Sequence, residues 1–229
     1  ADLPALCAPA GADPAQILTP KTLSLPPRSF DRHKGMSGRV AILAGSRCYR
    51  GAARLCSAAA VKAGAGLVTL IVPSDCVATL SASVIPEVMV RALDDFSVLL
   101  NEKWDAFGIG PGLGRERDEM ICEFLRRCST PCVVDADALN ALSGQMDVVR
   151  ENAGQRLLTP HHLEMERLSP CNGRDRLQWL ADFVSQYPVT LLLKGARTLI
   201  GKINSPVAFN TTGHPGMASG GMGDVLTGV

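Results

Sequence analysis

The stretch RVAILAGSRCYRGAARLCSAAAVKAGAGLVTLIV, residues 39–72, decides the fold class. Its opening, RVAILAG (39–45), is a short apolar run halted by glycine, as expected of a strand buried on both faces. GAARLCSAAAVKAG (51–64) is rich in alanine, which gives up least on becoming helical, and it closes on Gly64. LVTLIV (67–72) is another apolar run, stopped by Pro73. Strand, helix and strand in this order predict a crossover between parallel strands.

The same rhythm continues outward. AFGIG (106–110), PCVVDAD (131–137), RLLTP (156–160) and VTLLLKG (189–195) are further apolar runs ending in polar, Gly or Pro loops. Between them, ERDEMICEFLRRC places Met120, Ile121, Phe124, Leu125 and Cys128 on one helical face, and DRLQWLADFVSQY (175–187) is a second amphipathic helix. TLIG and VAFN predict a late antiparallel hairpin. The expectation is an α/β protein with a mostly parallel sheet covered on both faces. Residues 1–29, rich in Pro and Ala, are expected to be an extended arm or linker, and residues 30–229 a single domain.

Composition narrows the classes. The formal net charge of +1 leaves no electrostatic footprint for nucleic acid or an anionic membrane. The best apolar run, residues 56–72, is interrupted by Lys62, Gly64 and Gly66, so no membrane span is expected. The first residues lack the basic region and apolar core of a secretory signal. Eight cysteines form no CxxC pair and stand at no zinc spacing from the four histidines. Reduced thiols of a cytoplasm-like compartment, without a structural metal, are the expectation.

Chemistry in open α/β sheets gathers beyond the carboxyl ends of the strands. Six unusual loops fall there: GSRCYRG, GPGLG (110–114), DADALN (135–140), TPHHLE (159–164), KGART (194–198) and GMASGGMGD. In the last, SGGMGD runs into an apolar VL, so a glycine loop feeds a helix. Glycines let backbone N–H groups converge on an anion, and a helix N-terminus adds partial positive charge. A carboxylate there, Asp224, would repel a phosphate. The conflict is removed if Asp224 faces a substrate hydroxyl and accepts its proton while a phosphoryl group is transferred. The plainer reading is an Asp that caps a helix. Asp135 and Asp137 carry the same ambiguity, and His161 divides evenly between capping the helix after Pro160 and contacting substrate. His162 is expected to face solvent. Lys194 ends a buried strand, a place where lysine needs a partner, and a phosphate is the expected one.

The motifs HKGMSGRVAILAGS, GAARLCSAAAVKAGAGLVTL, GIGPGLG, VVDADALNAL, LLTPHHLEMERL, LLLKGARTLI and GHPGMASGGMGDVLTGV occur in the order found in the NAD(P)H-hydrate dehydratases. The chain resembles this ribokinase-like family of the YjeF carboxy-terminal type from about residue 32 onward, and its bacterial ADP-dependent members more than the ATP-dependent eukaryotic ones. The resemblance implies a three-layer α/β/α fold with a central, mostly parallel sheet. It also implies repair of hydrated NADH or NADPH by phosphorylation of the C6 hydroxyl and elimination of phosphate.

By resemblance, Asp224 is the base, and Gly220, Gly221 and Gly223 form the anion hole. Lys194, Gly195, Ala196, Arg197 and Thr198, with Gly223, hold ADP or ATP, the phosphoryl donor. Ala52, Gly112, Gly114, His161 and Asp224 contact the hydrated dinucleotide. Glu164 resembles the acidic position that orders Mg²⁺ near the phosphates. A homo-oligomer and a fused or separate epimerase are further expectations of the resemblance. Two departures stand out: the family usually reads TPHPGE where this chain has His162 and Leu163, and family members continue through further helices after the motif that ends here. C-terminal helices are therefore expected to be lacking. Rival readings are the ATP-dependent version of the reaction, a ribokinase-like kinase for a small metabolite, and a non-catalytic nucleotide-binding protein.

Overall fold

A computed structural model describes residues 15–19, 27–31, 33–151 and 154–229. Among these residues ten strands form one sheet in the order β1-β10-β9-β8-β7-β6-β5-β2-β3-β4. In chain order they are β1 (Gln16–Leu18), β2 (Arg39–Leu43), β3 (Leu67–Val72), β4 (Val88–Ala92), β5 (Ala106–Ile109), β6 (Cys132–Val134), β7 (Arg156–Leu158), β8 (Thr190–Leu193), β9 (Leu199–Lys202) and β10 (Ala208–Asn210). Strands β2 to β8 run parallel to one another, while β9 runs antiparallel to both β8 and β10. The late hairpin is thus antiparallel, as its sequence predicts.

Two strands lie outside the sequence reading. β4 extends the sheet beyond β3, and β1 pairs in parallel with β10, with Gln16 opposite Ala208. The arm expected over 1–29 falls mostly outside the described residues, and the part that is described includes this edge strand.

Among the described residues seven α-helices accompany the sheet: α1 (Arg50–Ala63), α2 (Val77–Ser81), α3 (Asp118–Arg127), α4 (Ala136–Leu142), α5 (His162–Leu168), α6 (Arg176–Gln186) and α7 (Met222–Gly228). Local chemistry favours the ends of three of them. α1 stops at Gly64, whose left-handed φ of 100° returns its N–H to the carbonyls of Ala60 and Val61. α3 carries Asp118 and Glu119 in its first turn and Arg126 and Arg127 in its last, complementing the helix dipole. The Asp175 side chain caps α6 by accepting the Gln178 N–H.

The pleat divides the core into two layers. Ala41, Leu43, Phe107, Ile109, Val134, Leu158 and Leu191 pack with α3, α4, α5 and α6 on one face. Ile42, Val68, Leu70 and Val72 pack with α1 and α2 on the other. Cys56, Cys76, Cys122, Cys128 and Cys132 are buried among these layers as small apolar side chains. α7 lies on α1 so closely that a Cβ on Gly228 would stand 2.1 Å from the Cys56 carbonyl oxygen. Among the described residues no helix is long and apolar enough to cross a membrane.

The chain makes β2, β3 and β4 in one direction, then returns to place β5 on the other side of β2. The sheet's switch point therefore lies between β2 and β5, where the loops leaving adjacent strands turn opposite ways and open a crevice.

Candidate active site

The crevice is walled by the loops after β2 and β5. Gly45 N–H donates to the Pro111 carbonyl at 2.8 Å, and Gly110 N–H to the Leu43 carbonyl at 3.1 Å, so the two loops brace each other. Gly112, at φ 66°, sits over the start of α1, where an added Cβ would lie 2.6 Å from Tyr49 Cβ and 3.1 Å from Ala52 Cβ. Glycine is required there by both the left-handed backbone and the close approach. Gly114 N–H donates to Asp137 Oδ2 at 2.8 Å. The expected substrate contacts Ala52 and Gly112 are thus neighbours, and Asp137 is spent on holding the GPGLG loop.

Beside this wall stands the glycine loop. Gly221, at φ 91°, is the N-cap of α7, and its Cα faces Leu55 of α1. Asp224 lies in the first turn but is not the cap, so the plain capping role does not describe it. Among the described residues no hydrogen bond engages the N–H groups of Gly220 or Gly221. The Gly223 N–H also lacks an intrahelical acceptor, as in the first turn of any helix. Three donors are therefore free to receive anionic oxygens. Burial pushes the half-buried Asp224 carboxyl up; the Asp135 carboxylate adds to this, the Lys194 ammonium opposes it, and Asp137 adds a smaller push. Cys56, beneath α7, has its thiol raised by burial first and by the Asp224 and Asp135 charges after that.

A buried charged group underlies the loop. Asp135 is the N-cap residue of α4 by position, yet its side chain makes no capping bond. Its Oδ1 accepts from Lys194 Nζ at 2.9 Å and its Oδ2 from Thr227 Oγ1 at 2.8 Å. The side chain is 2% exposed. The capping role considered for Asp135 is corrected accordingly. Lys194 was expected to await a phosphate; its partner here is this carboxylate, with Glu164 Oε2 at 3.7 Å. A Cβ on Gly223 would lie 3.5 Å from Lys194 Nζ, so the lysine does reach the glycine loop.

The rest of KGART behaves differently. Gly195, Ala196 and Arg197 are exposed, and Arg197 adopts φ 63°. Arg176, at the start of α6, fixes this loop from behind by donating to the carbonyls of Leu193 and Lys194 at 3.1 and 3.4 Å and of Ala196 at 3.3 Å. Thr198 Oγ1 donates back to the Gly195 carbonyl at 3.1 Å. Arg176 was legible in the sequence only as a helix residue, and nothing local marks it as the clamp.

At the TPHHLE loop the capping reading of His161 holds. Its Nδ1 accepts from the N–H groups of Leu163 and Glu164 at 3.1 and 3.3 Å, while Glu164 Oε2 accepts from His161 N–H at 2.8 Å. This reciprocal box forms with Leu163 in place, and it brings His161 Nε2 to 3.6 Å from Glu164 Oε1. His162, expected to face solvent, is exposed and meets the Trp179 ring edge-on at 5.4 Å.

Magnesium ordered directly by Glu164 is not supported. Its Oε2 is committed to the capping box, and among the described residues no group of three or more His, Cys, Asp or Glu is placed to hold a metal. The donor set fits a cation that arrives on nucleotide phosphates better than a resident one, since Mg²⁺ keeps most of its waters and needs few protein oxygens.

A mostly parallel sheet between two helical layers, with a glycine loop and an aspartate at the head of a helix beside the switch point, defines a ribokinase-like protein. Solved structures agree: a ribokinase-like superfamily protein of Enterococcus faecalis superposes with a TM-score of 0.82 at 30% identity, covering 93% of this chain and 78% of that one. An ADP/ATP-dependent NAD(P)H-hydrate dehydratase of Bacillus subtilis, crystallised with ATP and Mg²⁺, gives 0.78 at 29% identity over 89% of this chain and 74% of its own. The profile of the NAD(P)H-hydrate dehydratase family matches residues 40–229, and the chain belongs to that family.

Among relatives, an ADP-dependent (S)-NAD(P)H-hydrate dehydratase of Lactococcus lactis is 35% identical over 204 residues, 86% of this chain and 73% of that protein. A bifunctional NAD(P)H-hydrate repair enzyme of Moorella thermoacetica is 42% identical over 222 residues, 90% of this chain and 42% of that protein. The chain thus spans about two-fifths of the length of the bifunctional relatives it matches.

Proposed function

We propose that this chain is a nucleotide-dependent (S)-NAD(P)H-hydrate dehydratase, with ADP as the donor expected first and ATP as the alternative. The observation that carries this reading is the arrangement of Asp224 in the first turn of α7, behind the unengaged N–H groups of Gly220 and Gly221 and beside Lys194. It is supported by family membership and by the donor named for the Lactococcus relative.

Asp224 holds the hydroxyl of the hydrated ring and takes its proton as the oxygen attacks phosphorus. Its raised proton affinity suits a base, because a carboxylate of ordinary acidity would accept that proton poorly. Gly220, Gly221 and Gly223 donate backbone N–H groups to the oxygens of the group in transfer, where charge accumulates. Lys194 meets the donor's phosphates, while the loop from Gly195 to Thr198, held by Arg176, receives the rest of the nucleotide. Ala52, Gly112, Gly114 and His161 line the dinucleotide side. The bound nucleotide supplies the phosphoryl group that turns the C6 hydroxyl into a leaving group, and AMP departs from ADP (or ADP from ATP) as the donor's P–O bond breaks; the ring nitrogen's lone pair then expels phosphate, and loss of a C5 proton to water restores the double bond. Mg²⁺ enters with the nucleotide. A homo-oligomer, an associated epimerase and a cytoplasmic setting complete the proposal.

The test is a product assay on hydrated NADH with ADP or ATP and Mg²⁺. Nucleotide-dependent return of the dihydronicotinamide absorbance with release of inorganic phosphate is the expected result. A stable phosphorylated product would instead favour a small-metabolite kinase, and nucleotide binding without turnover a non-catalytic binder.

A further inference from the structure

Asp135 is buried, is charged and is used by no step above. Burying a carboxylate is costly unless partners compensate it, and a well-packed apolar side chain would stabilise the fold as well or better. Its partners come from two distant elements. Lys194, at the end of β8, is 59 positions away, and Thr227, on α7, is 92 away. Neither oxygen serves α4, the helix that Asp135 precedes. Thr227 is itself buried, and its hydroxyl also contacts the Gly223 carbonyl at 3.2 Å, within the glycine loop's own helix. A Cβ on Gly223 would stand 3.6 Å from Asp135 Oδ2, so the loop rests directly on this pair.

We propose that Asp135 is a positioning residue: its carboxylate joins the Lys194 ammonium to the Thr227 hydroxyl and so fixes where α7 presents Asp224 and the glycine loop. This inference rests on the dehydratase reading for its catalytic consequence, though not for its structural one. The link has two effects. It holds α7, which is short and gains little from its own hydrogen bonds, in register with the end of β8. It also keeps Lys194 turned toward Asp135, away from a direct pair with Asp224 that would neutralise the base. The charged groups acting on Asp224 among the described residues are Asp135, Lys194 and Asp137, while the Cys56 thiol beneath α7 is itself pushed up by burial and by Asp224. Two of the carboxylates sit on the one β6–α4 junction.

The experiment uses the full-length protein as wild type, D135N, T227V and T227S. Amide hydrogen exchange across α7, ADP binding by calorimetry and the titration of the Asp224 carboxyl by NMR are read beside turnover. T227V is expected to speed exchange of α7 amides by about tenfold and to lower kcat by a similar factor, with the ADP Kd within about twofold of wild type. T227S, which keeps the hydroxyl, is expected to restore both. D135N is expected to speed the same amides, weaken ADP binding and move the Asp224 titration toward lower pH. Wild-type exchange in both T227V and D135N, with the Asp224 titration unmoved, would overturn the inference. If D135N does not fold, the T227V and T227S pair decides alone: equal exchange and equal kcat in the two overturns it. Inactive wild type with normal ADP binding would refute the dehydratase reading, while the exchange and titration data would still decide the role of Asp135.

Discussion

Asp224 is a carboxylate kept half out of water beside two others, and its proton equilibrium follows from that placement. Burial raises its folded-state pKa above the unfolded value, so between the two values the folded chain binds more protons. Stability from this group is full below the unfolded carboxyl pKa and is lost as pH climbs through the raised folded value. Asp224→Asn, which removes the ionisation, is therefore expected to melt higher than wild type at neutral pH, with the difference closing near pH ~3. Thermal melts at the two pH values check this, and a mutant less stable at neutral pH would contradict it. The placement of Asp224 in the first turn of a helix behind a glycine loop was legible because its glycines surround it in the chain. The partners of Asp135 and Lys194 were not, because each lies on a different strand end or helix and only the folded sheet brings them together.

At the scale of elements, α7 depends on its seat. Gly228 permits a helix-to-helix approach that a methyl group would block, meeting the Cys56 carbonyl and Ala59 Cβ. Gly228→Ala is expected to cost about 1–3 kcal/mol in denaturant unfolding, because the helix must lift away to relieve the overlap. It should lower kcat more than it raises the nucleotide KM, since Asp224 moves with α7 while the KGART loop is held independently by Arg176. Loss confined to KM would argue against this division. The strands of the sheet centre were legible as unbroken apolar runs. β4 was not: of its five residues only Val88 is buried, and an edge strand lacks the continuous apolar signature of a central one. β1 is three residues long, with two exposed, and its place depends on pairing with β10 nearly two hundred positions later.

Across the whole molecule, the switch point organises function at the carboxyl ends of the strands, and stability is secured at their other ends. There Arg156, 3% exposed, directs its guanidinium to the carbonyls of Leu125, Cys128 and Thr130, where α3 ends and β6 is about to begin. Arg156→Leu would remove the guanidinium donor from the Leu125 and Cys128 carbonyls and leave Thr130 O only the weak Cys128 and Cys132 thiols, and a loss on the order of 3 kcal/mol is expected. Because Arg156 lies away from the loops of the site, kcat and KM of the folded fraction should stay at wild-type values. A change in either would mean that the two ends of the sheet are coupled. Its lone charge in RLLTP gave no such indication in the sequence, where it reads as the polar start of a strand.

Asp224 is proposed here as the base of a nucleotide-dependent dehydration. That role is tested by comparing wild type with Asp224→Asn on purified hydrated NADH, with ADP or ATP and Mg²⁺, following the dihydronicotinamide absorbance. Recovery that requires the nucleotide in wild type, and falls at least about a hundredfold in the mutant while ADP binding persists, is the predicted result. Equal recovery in both proteins, or none in a folded wild type that binds ADP, would contradict it.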